Sequence, residues 1–146
     1  MLNVYLPDSR IQLVEYCNDW QQAIRICATP LLKEGLIENR YLHNIFELFQ
    51  KLGPYFVVAP HIAMPHARPE DGAINTGLSL LVVKQGVRFN SEHDPVYLIV
   101  MLAANNTNNH LNMLAQLAEF LANEEDVLRV TRSSSITEIS EVISHY

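Results

Sequence analysis

Apolar positions recur at helical spacing in the first third of the chain, switch to strand-like runs, and return to helical spacing after residue 109. Trp20, Ala23, Ile24, Cys27 and Leu31 form the first stripe, behind Asn18 and Asp19 as N-cap residues. Pro30 should interrupt or bend the last turn, and Gly35 should end it. Ile37, Tyr41, Ile45, Leu48, Phe49 and Leu52 form a second stripe, closed by Gly53-Pro54. Residues 55–59, 62–64, 78–83 and 96–104 then read as strands, the last two aliphatic enough for a sheet interior. A polar turn over 105–109 opens a helix over 110–121, and Asn123-Glu124-Glu125-Asp126 starts a short one through Val130. Ser135 and Glu138, three apart, form a capping box for a final helix ending near His145. No repeat, low-complexity segment or linker divides the chain. The pattern predicts one α/β domain over residues 1–146, a mixed sheet layered with helices on both sides.

At 146 residues the chain can bury a core with no disulfide or metal. Cys17 and Cys27 have no second pair, so they read as small core residues in a reducing compartment. The longest apolar runs are too short to cross a bilayer as helices, and the N-terminus lacks a basic n-region and a long h-region. The expectation is a cytoplasmic protein with no direct membrane insertion. A formal charge of −6 without a basic run argues against nucleic acid as a partner.

Chemistry concentrates in residues 59–72. Pro60, Pro65 and Pro69 fix their own φ and push each preceding residue from the helical region. Inside this stiff element sit His61 and His66, with Arg68 two positions beyond. A rigid imidazole beside a guanidinium suits a nucleophile that must carry an anion. Taken alone, the string is equally compatible with a proline-rich loop bearing surface histidines. Arg68 can likewise meet a phosphate or simply neutralise Glu70 or Asp71.

Ile62-Ala63-Met64-Pro65-His66 resembles the phosphorylation-site motif of phosphotransferase-system IIA proteins of the mannitol/fructose class. The longer string from Gly53 to Pro60 and Met64 to Glu70 is similar to the ascorbate-type branch. So are Phe89-Asn90, Asp94-Pro95-Val96 and Asn108-Asn109-His110-Leu111. The likeness runs from about Trp20 to Arg129, with its motifs agreeing in order and spacing. One position departs: where that branch commonly has glycine before the Ile-Ala-Met-Pro-His string, this chain has His61. Whether His61 assists, competes or is inert stays open.

The resemblance implies that His66 accepts a phosphoryl group from phospho-HPr, the general carrier protein. A cysteine of a IIB component would receive it, in uptake of ascorbate or a related sugar acid through a membrane IIC component. It also implies that His110 lies beside His66 and steadies the phosphoryl group. Read on its own, His110 in the first turn of a helix is as simply a satisfied core histidine. Even so, a helix start favours an incoming anion, and residues 105–110 follow a strand at a sheet edge where α/β proteins bind ligands. Arg68, Thr107 and Asn109 are further phosphate-binding candidates. Exchange between two imidazoles needs no cofactor, and the chain has neither a glycine-rich phosphate loop nor a strand-end carboxylate cluster for magnesium. A regulator of the same fold and a histidine metal-binding domain are the rival readings. An apolar docking rim could come from Ile62, Met64, Ala67 and the 86–90 turn.

Overall fold

Leu78, Leu80 and Val82 point to one face of a central strand while Ser79, Leu81 and Val83 point to the other, and all six are buried. A strand covered on both sides reads as an unbroken aliphatic run, and period 2 then sorts its side chains between two cores. In the computed structural model, which describes residues 1–105 and 109–146 (Asn109 in its backbone alone), helices supply both covers. Among the described residues five strands form one sheet: β1 (Ile11–Val14), β2 (Val57–Ala59), β3 (Ile62–Ala63), β4 (Gly77–Val87) and β5 (Val96–Ala103). Their order across it is β1-β4-β5-β3-β2. The β1/β4 and β3/β5 pairs are parallel, and β4/β5 and β2/β3 antiparallel, so the sheet is mixed as expected.

Helices α1 (Trp20–Lys33) and α2 (Asn39–Leu52) cover one face, packing Ile24, Cys27, Leu31, Tyr41, Ile45 and Phe49 on Leu81, Val83, Ile99 and Met101. Helices α3 (Asn109–Ala122), α4 (Glu124–Thr131) and α5 (Ile136–Ile143) cover the other, with Met113, Leu117, Phe120, Val130 and Ile139 on Leu80, Val82, Leu98 and Val100. The N-caps follow the sequence, although of the expected capping box only the serine half forms among the described residues, the Glu138 carboxylate accepting from Ser134 Oγ at 3.1 Å instead. Asp19 accepts from the Gln22 N–H, Asn123 from that of Asp126, and Ser135 from that of Glu138. Pro30 sits inside α1, and Gly35 beyond it has φ 73°. Cys17 and Cys27 are free and buried, and burial pushes the Cys27 thiol up to about 11.

Several expectations need correction. Strand β1 was not legible, because Gln12 interrupts an apolar run of four whose partner lies far along the chain. Ile37 precedes α2 and bridges to Ala73 instead of joining the helical stripe. Leu52, in the last turn of α2 beside exposed Gln50 and Lys51, is 63% exposed. The spacing gives α3 apolar positions at Leu111, Met113, Leu114, Leu117, Ala118 and Leu121, but the inward stripe is Met113, Leu117 and Phe120, while Leu111 and Ala118 are exposed. At about 100° per residue, Leu111 falls about 200° from Met113 and so faces outward. His110 falls about 60° from Met113 by the same count and is half-buried.

Candidate functional site

The edge of the sheet where β3 and β5 end collects the chemistry. β3 pairs Ile62 with Leu98 and Ala63 with Ile99, and the chain continues extended past it. The Met64 N–H donates to Phe56 O (2.8 Å) and the Leu102 N–H to Pro65 O (3.1 Å). His66 is therefore carried to the C-terminal end of β5 by a segment that Pro65, itself buried, cannot allow to coil.

His66 is half-buried, and its Nδ1 lies 2.7 Å from Met64 O. A carbonyl can only accept, so Nδ1 carries the proton and the lone pair resides on Nε2. Two tyrosines hold the backbone around it. Tyr55 Oη donates to His66 O at 2.6 Å, and its ring meets the imidazole edge-on with centroids 5.8 Å apart. Tyr41 Oη donates to Leu102 O at 2.6 Å and accepts from the Ala67 N–H at 3.1 Å. One hydroxyl thereby ties the residue after His66 to the end of β5. Burial pushes both phenols up to about 12, which keeps them neutral donors.

Arg68 is committed elsewhere. Its Nε and Nη2 donate to the two carboxylate oxygens of Asp71 (3.2 and 3.3 Å), and its N–H donates to Asp71 Oδ2 at 3.0 Å. The guanidinium holds the Asp71 carboxyl below the usual carboxylate range. Arg40 Nη1 and Asn44 Nδ2 from α2 hold the same turn through Glu70 O and Asp71 O. The pattern fits a turn brace, the other of the two roles open to Arg68.

His110 lies in the first turn of α3, which starts from the same edge beyond β5. Asn105 is pinned there: Thr76 Oγ1 donates to its Oδ1 (2.9 Å) and its Nδ2 donates to Ile74 O (3.3 Å). Thr107 and the Asn109 side chain lie outside the described residues. Arg10, overlooked in the sequence, is 7% exposed and brings its guanidinium to this edge beside Gly77, where a β-carbon would clash with it. Its burial lowers its pKa, and Glu34 opposes that shift.

The other histidines disperse. His61 occupies the turn before β3, at the opposite edge, with φ 70° and Nδ1 2.6 Å from Pro95 O. That left-handed conformation is why glycine suits the position. His43 is an exposed partner of Glu47, and His145 is exposed near the end of α5. No group of three His, Cys, Asp or Glu able to hold a metal is found among the described residues. The expected apolar rim is also redrawn. Ile62 is buried, and the 86–90 turn follows the far end of β4, whereas Leu111, next to His110, is 62% exposed. No helix of the described residues is long and apolar enough to cross a membrane.

Comparison with known proteins agrees with this fold. The family model for the phosphoenolpyruvate-dependent sugar phosphotransferase system, EIIA 2, matches residues 4–146. The mannitol-specific cryptic phosphotransferase enzyme IIA component of Escherichia coli K12 is 36% identical over 143 residues, 98% of this chain and 97% of that protein. Its solution structure superposes with a TM-score of 0.92 at 99% coverage of both chains. The ascorbate-specific EIIA component of Salmonella choleraesuis is 34% identical over 138 residues, 93% of this chain and 90% of that one. The E. coli mannitol IIA, solved in complex with its phosphorylated IIB, gives a TM-score of 0.80 at 28% identity, covering 94% of this chain and 96% of that one. The chain belongs to the EIIA type 2 family of sugar phosphotransferase components.

Proposed function

We propose that this chain accepts a phosphoryl group on His66 Nε2 from phospho-HPr and passes it to a cysteine of a IIB component. The observation that carries the reading is the Nδ1 contact to Met64 O, which leaves Nε2 as the nucleophilic edge of a ring on a rigid segment. Nε2 attacks phosphorus in line. The new N–P bond forms as the donor's N–P bond breaks, and the donor imidazole keeps the electron pair and takes up a proton. The positive charge left on the His66 ring is met by Met64 O, which accepts from Nδ1–H throughout. A cysteine thiolate of the IIB component then attacks the same phosphorus and restores the neutral ring. Donor and acceptor are both imidazoles in the first step, so the exchange is nearly balanced, and positioning supplies most of the acceleration.

His110, at the start of α3, would steady the phosphoryl oxygens together with N–H groups of that helix end. The protein would work in the cytoplasm, with the membrane IIC component reached through IIB. The string around His66 favours ascorbate or a related sugar acid as the transported substrate. A hexitol is the second reading, favoured by the 36% identity to the mannitol-specific cryptic relative.

Intact-mass measurement after incubation with phospho-HPr tests this. One acid-labile phosphoryl group on the wild type, absent from His66→Ala and short-lived on His110→Ala, is the expected result. Modification of His66→Ala to the wild-type level would overturn the assignment.

A further inference from the structure

The turn before β3 places a side chain where the backbone disfavours one. His61 has φ 70°, and L residues in that region persist only where their surroundings hold them. Here the hold is specific. The His61 N–H donates to His93 O (3.0 Å), Nδ1 sits 2.6 Å from Pro95 O, and the ring lies 5.3 Å from that of Tyr97. Tyr97 in turn lies against Gly86, where a β-carbon would come within 3.0 Å of its ring. The Nδ1 proton is spent on Pro95 O, leaving Nε2 without a hydrogen bond among the described residues.

His61 lines an open cavity of about 310 Å³ with Lys84, Tyr97, Leu128, Thr131 and Arg132. On a chain with 16 acidic and 10 basic residues, this cavity has two permanent cations and no carboxylate in its lining. Lys84 Nζ spends two of its three donors on Arg132 O (3.3 Å) and Ser133 O (2.7 Å), the carbonyl end of α4, and the third remains. The Arg132 guanidinium makes no ion pair or hydrogen bond among the described residues. Two fixed cations oppose a metal ion and favour an anion. His61 and Leu128 also border a second groove of about 330 Å³, walled chiefly by Ala59, Ile62, Leu121 and Val127, which Glu124 also lines.

We propose that this cavity binds the phosphate group of a small organic phosphate, and that the apolar groove takes the ligand's body. Arg132 and Lys84 meet the charged oxygens. His61 Nε2 accepts from a P–OH or, when protonated, donates to a P–O⁻. The site lies at the opposite edge from His66 and does not depend on phosphoryl transfer there.

The test uses His66→Ala protein, so that phosphate cannot report at His66. Inorganic phosphate and phenyl phosphate are titrated while NMR follows the His61 ring and the backbone amides of Tyr97, Thr131 and Arg132. Saturable shifts are expected, with phenyl phosphate the tighter probe. Arg132→Gln and His61→Gly should each weaken binding about tenfold, the loss of one charge-assisted contact, with the rest of the spectrum unmoved. Shifts that fail to saturate, or that are unchanged in both variants, would overturn the site. Equal affinity for the two probes would overturn the assignment of an organic ligand.

Discussion

His66 and His61 flank the same two-residue strand, and each turns Nδ1 to a backbone carbonyl, at 2.7 and 2.6 Å. Their tautomers are thus set by the same device, yet their settings differ in almost every other respect. His66 follows a buried proline, is half-buried, and is gripped by two neutral tyrosine hydroxyls. His61 is exposed, sits in a left-handed turn, and faces a cavity lined by a lysine and an arginine. One carbonyl suffices to present a lone pair on Nε2. On the proposed function, what makes such a ring a relay is a backbone that cannot shift under it, and on the proposed anion site, what makes it a contact is charge nearby.

The sharpest break between the two is chemical. His66→Ala should abolish phosphoryl acceptance, while His61→Ala should leave its initial rate within about twofold, since it removes nothing that touches the reacting atoms. Timed intact-mass measurements on both variants check this. Comparable losses in the two would erase the distinction.

Tyr41→Phe should weaken the His66 side alone. It strips the Ala67 N–H and Leu102 C=O of their shared partner in a part-buried place, at a cost of about 1–3 kcal/mol in urea unfolding. Transfer should slow about tenfold as well, because His66 loses its alignment with the end of β5. Loss of stability at an unchanged rate would reduce the hydroxyl to a structural role.

Much of this contrast was hidden in the sequence for an identifiable reason. The layered fold was legible because β4 and β5 are continuous aliphatic runs, and because Asp19, Asn123 and Ser135 mark helix starts locally. His66 stood out because prolines flank it. The hydroxyls of Tyr41 and Tyr55 did not, since their partners lie 61, 26 and 11 residues away. Tyr41 read as core by default, in a stripe part of which could border the site. Nor does spacing reveal that Arg68 is spent on Asp71, or that Arg10 is buried.

His61→Gly probes the other side. Relief of the left-handed backbone is worth about 1–2 kcal/mol and loss of the Nδ1 bond about 1, so stability should stay within about 1 kcal/mol of wild type. A larger loss would mean that the ring also braces the turn.

The smallest effect concerns acid. Asp71 has a folded pKa below its unfolded value because Arg68 hydrogen-bonds its carboxylate. Its contribution is therefore complete above the unfolded pKa of about 3.9 and is lost as pH falls through the lower folded value. Asp71→Asn should lower stability slightly at neutral pH, where the paired carboxylate contributes, and so flatten the acid limb of a stability–pH curve below about pH 4. An unaltered acid limb would show that the pair does not couple to folding.

The most direct test of the central claim is ring ¹⁵N NMR of His66 before and after reaction with phospho-HPr. The Nδ1–Met64 O contact predicts an Nδ1–H tautomer in the free protein and a phosphoryl group on Nε2 afterwards, with His61 unmodified. A free His66 protonated at Nε2, or phosphorus on Nδ1 or on His61, would contradict it.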